Sequence, residues 1–157
     1  MIAALLLVHL VAFAAYLGAG FAQTQMMKLS AREGTAAALR DEYERLAAVI
    51  VTKIEVPAIF ASMASGIVFI TQNPALMKQG WLHGKLTVVL LLAVLSHLEM
   101  FNARKIVRAR ASGAASADEE IERRKRNHGA FGAVGALLVL VLLVLVTFVR
   151  LGAISNG

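Results

Sequence analysis

The sequence predicts an all-α integral membrane protein, a bundle of four transmembrane helices with both termini on the non-cytoplasmic side. Three observations predict it. Hydrophobic residues make up 59% of the 157-residue chain, against about 45–50% in a soluble domain. They gather into four blocks, residues 2–22, 47–71, 81–101 and 129–149, each close to the ~20 residues that cross a bilayer. The basic residues collect in only two of the three connections between those blocks.

The first block begins without the basic run of a signal peptide, and its apolar stretch is longer than a typical signal core. It is therefore read as a retained helix over 2–22. Ala14, Gly18 and Ala22 recur every four residues, a face that lets membrane helices approach closely. The following connection carries Lys28, Arg32, Arg40 and Arg45, and helical periodicity from Glu33 to Leu46 predicts that the helices project beyond the bilayer. The second helix is placed at 47–71. Its Lys53 and Glu55 are read as interfacial side chains reaching for water, Pro57 as a kink, and Ala58, Ser62 and Gly66 as a second small-residue face.

The short middle connection, residues 72–80, holds one basic residue, Lys78. Asn73-Pro74 has the form of a helix start, which predicts a third helix over 74–108 with Trp81 as an interfacial anchor. Residues 111–115 are the expected flexible connector. Ser116-Ala117-Asp118-Glu119 matches a capping box and predicts a fourth helix over 117–149, with small residues at Gly129, Gly132, Ala133, Gly135 and Ala136. The connection before it holds Arg104, Lys105, Arg108, Arg110, Arg123, Arg124, Lys125 and Arg126. The positive-inside rule places loops 23–46 and 102–128 in the cytoplasm of a multi-pass protein of the bacterial inner membrane. The whole chain, 1–157, is one domain.

The formal net charge is +6. With the basic residues flanking apolar blocks, the partner this implies is anionic lipid, not nucleic acid. The chain has no cysteine, which excludes disulfides, iron–sulfur clusters and thiolate zinc sites. Small-residue faces exceed what one four-helix bundle needs, so a homo-oligomer, dimer or trimer, is expected.

Ionisable residues inside a span are costly and point to function. The candidates are His9, Lys53, Glu55, His83, Lys85, His97, Glu99 and His128, and all four histidines of the chain are among them. His9 stands seven residues beyond Ile2, ~10 Å along the axis. With a third helix starting at Pro74, His83 lies at comparable depth from the same side. His97 and His128 fall near the cytoplasmic ends of helices three and four. The histidines thus sort into an outer pair, His9 and His83, and an inner pair, His97 and His128. His83 and His97 are fourteen residues apart, about 40° short of four turns, so both project from nearly one face of one helix. That spacing suits a helix giving an axial ligand to each of two stacked haems, and bis-histidine haem b on facing helices is a workable bundle chemistry.

The stretch Gly80-Trp81-Leu82-His83-Gly84-Lys85-Leu86, followed by an apolar run and His97, resembles the signature helix of the HemJ-type protoporphyrinogen oxidases and of related CopD-like small haem-binding membrane proteins. Glu44-Arg45-Leu46, then Pro57 and Gly66, follows the same order, and so does His9 with the small and aromatic residues after it. The resemblance runs over most of the chain and is specific at the Trp81–Lys85 segment. It implies haem b ligated by His9 and His83, with Trp81 and Lys85 as accompanying site residues, Lys85 contacting a porphyrin propionate. It also gives His97 a counterpart.

These readings lead to an expected b-type haem protein, di-haem with bis-histidine ligation, for transmembrane or quinone-linked electron transfer. The expected cofactor is one or two haem b per chain. Two rivals stand beside it. One is the oxidoreductase of the resemblance, converting protoporphyrinogen to protoporphyrin without oxygen. The other is a cofactor-free accessory subunit or a metal-transport subunit, its histidines holding copper or zinc directly.

Overall fold

The computed structural model describes residues 2–113 and 117–149. Every regular element among them is helical, in the order α1 (Ile2–Ser30), α2 (Ala37–Ile50), a π turn (Val51–Glu55), α3 (Val56–Gln72), a 3-10 turn (Pro74–Lys78), α4 (Gly80–Ser112), α5 (Ala117–Val144) and a second π turn (Leu145–Val149). Four rods are long and apolar enough to cross a membrane: Ile2–Ser30, Ala37–Gln72, Gly80–Ser112 and Ala117–Phe148. The predicted four-helix membrane bundle is the observed one. The rods are mostly longer than the predicted spans, because their ends run on as amphipathic and charged helix beyond the apolar blocks.

α1 continues eight residues past the predicted end at 22. It stops before Gly34, whose φ of 79° is a backbone conformation glycine adopts without strain. α2 carries the predicted helical projection from Ala37 onward and runs through the π turn into α3 as one continuous helical rod, Ala37–Gln72. The predicted effect of Pro57 takes a specific form here. A proline removes one backbone donor and pushes its ring against the carbonyl four residues earlier, here that of Lys53. The chain absorbs this by widening the turn at Val51–Glu55 into a π turn instead of breaking the helix.

The predicted third helix is corrected at its start. Pro74 opens a separate 3-10 turn, Gln79 is extended (φ −90°, ψ 115°), and α4 begins at Gly80. Asn73 makes no side-chain cap; its backbone N–H instead closes α3 onto Phe69 and Ile70. His83 therefore stands three residues into its helix, ~4.5 Å along the axis, and the start at Pro74 from which its depth was matched to His9 is replaced by one at Gly80. α4 also runs past 108 to Gly113, whose φ of 62° makes a left-handed C-cap. Part of the expected connector is therefore helix. The capping box falls on Ser116, which lies outside the described residues. The first turn of α5 carries Asp118, Glu119 and Glu120, which suit the positive end of the helix dipole.

α4 is the central rod: 39% of its apolar window is buried, against 6% for α5 and 11% for α1. α1 packs on α2 and α3, and α4 packs on α5, while α1 and α5 barely touch. The core has two apolar layers. Nearer the charged loops lie Met27, Ala47, Val51, Ala103, Ile106 and Ile121. Farther away lie Tyr16, Ala58, Ile59, Val88, Leu92 and Leu142. Along every rod a buried polar side chain falls at or near the boundary of those layers: Gln23 on α1, Glu55 before α3, Ser96 and Glu99 on α4, and His128 on α5.

Candidate functional site

The boundary between the two layers is where the bundle holds its unusual chemistry. Glu55 is only 1% exposed. It was expected to reach water beside Lys53, but the two side chains part: Lys53 is exposed and Glu55 is buried. The physical reason is the π turn, which ends at Glu55 and turns its carboxyl toward α1. A β-carbon at Gly20 would lie 3.7 Å from Glu55 Oε2, so the carboxyl rests on a bare stretch of α1 backbone. Glu99 projects from α4 toward α5, where a β-carbon at Gly132 would lie 3.9 Å from Glu99 Oε1. The glycines that the sequence marks as packing residues are thus also what leaves room for two carboxyl groups.

Gln23 and His128 complete the layer. Gln23 Nε2 donates to Glu99 Oε2 at 3.4 Å. Gln23 Oε1 lies 2.5 Å from His128 Nε2. Because an amide oxygen only accepts, His128 Nε2 is the donor of that pair, and Nδ1 carries the lone pair of the neutral ring. Among the described residues, His128 Nδ1, Glu55 Oε2 and Ser96 Oγ have no hydrogen-bond partner. Buried polar atoms are nearly always satisfied, and each exception needs a reason.

The reason is spatial. A cavity of about 600 Å³ lies between α1 and α5, lined by Tyr16, Gln23, Glu55, Glu99, His128 and the Gly129–Ala136 face. Its outer wall includes the exposed Phe21 and Ala136, so it opens sideways where the two rods separate. At the charged end the site is closed by an ion-pair network on Glu44, itself 1% exposed. Arg110 Nη2 and Lys125 Nζ reach Glu44 Oε1 at 2.9 and 2.7 Å, and Arg110 also pairs with Asp41 and Asp118. Burial works against ionised Glu44, but hydrogen bonds from Arg110 and Lys125 outweigh it and hold its carboxyl below the usual 4.5. Among the described residues, no lysine or arginine forms an ion pair with Glu55 or Glu99.

The histidines named from the sequence are dispersed around this layer. His9 packs on α3: its Nδ1 is 2.9 Å from the Ser62 carbonyl and 3.0 Å from Ser65 Oγ. Gly66 lies against the ring and Phe69 meets it edge-on. The carbonyl can only accept, so Nδ1 is the protonated nitrogen and Nε2 keeps its lone pair. That is the state of a metal-ligating histidine. His83 is exposed on the first turn of α4, with Trp81 and Lys85 half-buried beside it. His97 donates Nδ1–H to the Ala93 carbonyl at 2.7 Å and meets Phe60 of α3 edge-on at 5.3 Å.

The inner pair is not assembled. Glu99 follows His97 by two residues, about 200° around the helix, and it is Glu99 that faces Gln23, Gly132 and the His128 side. His97 turns the other way, toward α3. The structure gives the two histidines different neighbours, Ala93 and Phe60 for His97 and Gln23 for His128. Among the described residues there is also no group of three or more His, Cys, Asp or Glu placed to hold a metal ion, so copper or zinc bound directly by a cluster of these side chains has no site in them.

Gln23, Tyr16 and Ser96 were not singled out in the sequence. Gln23 sits just past the predicted end of the first span, where a polar side chain gives no signal, and an uncharged serine or tyrosine within an apolar block, as at Ser96 and Tyr16, gives none either. Comparisons with curated proteins and with solved structures return no match. A family model described as predicted integral membrane protein (DUF2269) matches residues 3–153, nearly the whole chain, and the protein belongs to that family.

Proposed function

We propose that the protein binds haem b and carries electrons in the membrane, with His9 as an axial ligand. The carrying observation is the hydrogen bond that fixes His9 Nδ1 on the Ser62 carbonyl and leaves Nε2 for iron. The small-residue surface at Gly66 lets the ring lie close to α3. The likeness of Trp81-Leu82-His83-Gly84-Lys85 to the HemJ-type signature supports His83 as the second ligand and Lys85 as a propionate partner. A bound haem supplies a centre that accepts and releases one electron at a time. This chain's part is to set the tautomer of His9, hold its ring and exclude water with α1 and α3. Because His97 and His128 diverge, the reading is one haem per chain.

The orientation proposed with it places loops 23–46 and 102–128 in the cytoplasm of a bacterial inner membrane, following their basic residues. A basic pocket lined by Arg45, Lys53, Arg104 and Arg108 at that end of α2 and α4 supports the same side, since anionic headgroups attract such clusters. Dimers or trimers, and quinone as electron partner, belong to this proposal.

The purified protein is expected to show a Soret peak and a dithionite-reduced α-band of haem b, with about one haem per chain. His9→Ala is expected to lose it, and a colourless wild type defeats the reading. The Trp81–Lys85 segment favours a second reading, porphyrinogen oxidation. Complementation of a strain lacking that step distinguishes it: haem present without rescue leaves electron transfer.

A further inference from the structure

The haem reading uses none of Glu55, Glu99, Gln23 or the cavity between α1 and α5. That cavity is acceptor-rich. Its hydrogen-bond chain runs in one direction, from His128 Nε2–H to Gln23 Oε1 and from Gln23 Nε2–H to Glu99 Oε2. The chain ends in a carboxyl group at one side and in the bare lone pair of His128 Nδ1 at the other. Glu55 Oε2 adds a second buried acceptor, with the Glu99 carboxyl beside it. Glu55 and His128 are each 1% exposed, and both line the cavity. An occupant that satisfies them must bring donors.

Charge and size narrow the class. Two carboxyl groups share the cavity, and no lysine or arginine pairs with either among the described residues. Of the two lysines that line it, Lys125 is engaged by Glu44 and Lys28 stands exposed at the rim. Buried carboxyls either hold a proton, which Glu55 and Glu99 lie close enough to share, or ionise against a cationic partner. The volume of about 600 Å³ is some twenty times the ~30 Å³ share of one water, so a bare ion leaves most of it empty. It falls in the usual range for organic ligands. The walls beyond the carboxyls are apolar: Leu17, Phe21 and Val139. The opening faces sideways, between rods that barely touch, which is the route of a molecule dissolved in lipid.

We propose that this cavity binds an amphipathic organic cation, an amine or amidine carried on an apolar ring or chain. Glu55 and Glu99 receive the charged head. His128 Nδ1 accepts a further donor, and the glycine face of α5 accommodates the apolar body. The site is independent of haem.

The test uses the full-length protein purified in a mild detergent and ethidium, an aromatic cation with two amino groups, followed by fluorescence anisotropy. Saturable binding is expected, weakened tenfold or more by E55Q and by E99Q, since hydrogen bonds to a charged group carry that much. Ala136→Phe, at an exposed wall position, is expected to block the mouth without touching the core. In the wild type, decylamine is expected to displace the dye and decanol is not, a comparison that holds even if the Gln variants fail to fold. Absence of a saturable component, equal binding by well-folded E55Q and E99Q, or equal displacement by decanol overturns the proposal. Stronger displacement by decylubiquinol than by decylamine also overturns it, in favour of a neutral donor ligand.

Discussion

Glu44 shows what one side chain can do in this bundle. It lies at the charged end, outside the apolar spans, and it joins three rods: its own, α4 through Arg110 and α5 through Lys125. Lys125 also donates to the Ser30 carbonyl at 3.3 Å, which brings in α1. Removing one member of a buried pair strands the others, so Glu44→Ala is expected to cost about 3 kcal/mol, read as a lower thermal midpoint by circular dichroism. The pH dependence has a definite sign. The folded carboxyl titrates below its usual 4.5 because the hydrogen bonds from Arg110 and Lys125 overcome the effect of burial. Its contribution is complete above that value and is lost as pH falls through the lower, folded one. The wild type and Glu44→Ala should therefore differ most at neutral pH and converge in acid. A gap that stays constant down to pH 3 would assign the loss to packing instead.

At the scale of the element, the π turn decides the site. Pro57 forbids a regular helix over the preceding turn, and the chain takes up one extra residue at Val51–Glu55. Glu55 ends that turn and points inward, while Lys53 points out. Deleting Lys53 shortens the wide turn to an α turn and keeps both flanks in register, but it restores the proline clash at about 3 kcal/mol. The deletion combined with Pro57→Ala is therefore expected to regain the thermal midpoint that the deletion alone loses. A one-residue deletion at Ala61, inside α3, rotates everything after it by about 100°, and no change at Pro57 should repair it. Failure of Pro57→Ala to rescue the Lys53 deletion would mean that the proline is not what sets the wide turn.

Over the whole molecule, hydropathy made the four rods legible because each apolar block exceeds what a soluble helix would bury. The ends were less legible. Charged helix resembles loop composition: periodicity reported the projection over 33–46 and the third helix as far as 108, but not the continuation of α1 to Ser30 or of α4 to Ser112. Asn73-Pro74 carried a true start signal, but for a 3-10 turn, since Gln79 leaves helical geometry before α4 begins. Of the polar residues, His9 stood out against an apolar stretch, whereas the pairing of Gln23 with Glu99 and His128 spans 76 and 105 residues. No local pattern reports such a pairing. Orientation was read from charge alone, and the cysteine-free chain makes that reading directly testable. Single cysteines at Glu33→Cys and Gln79→Cys fall in the turns at opposite ends of the rods. In intact cells, a membrane-impermeant maleimide is expected to label Gln79→Cys, and Glu33→Cys only after the cells are opened. The reverse pattern would invert the molecule. It would place the Glu44 network and the basic pocket away from the anionic cytoplasmic leaflet, and His9 toward the cytoplasm. The electron path proposed through His9 would then have to begin on the other side of the membrane.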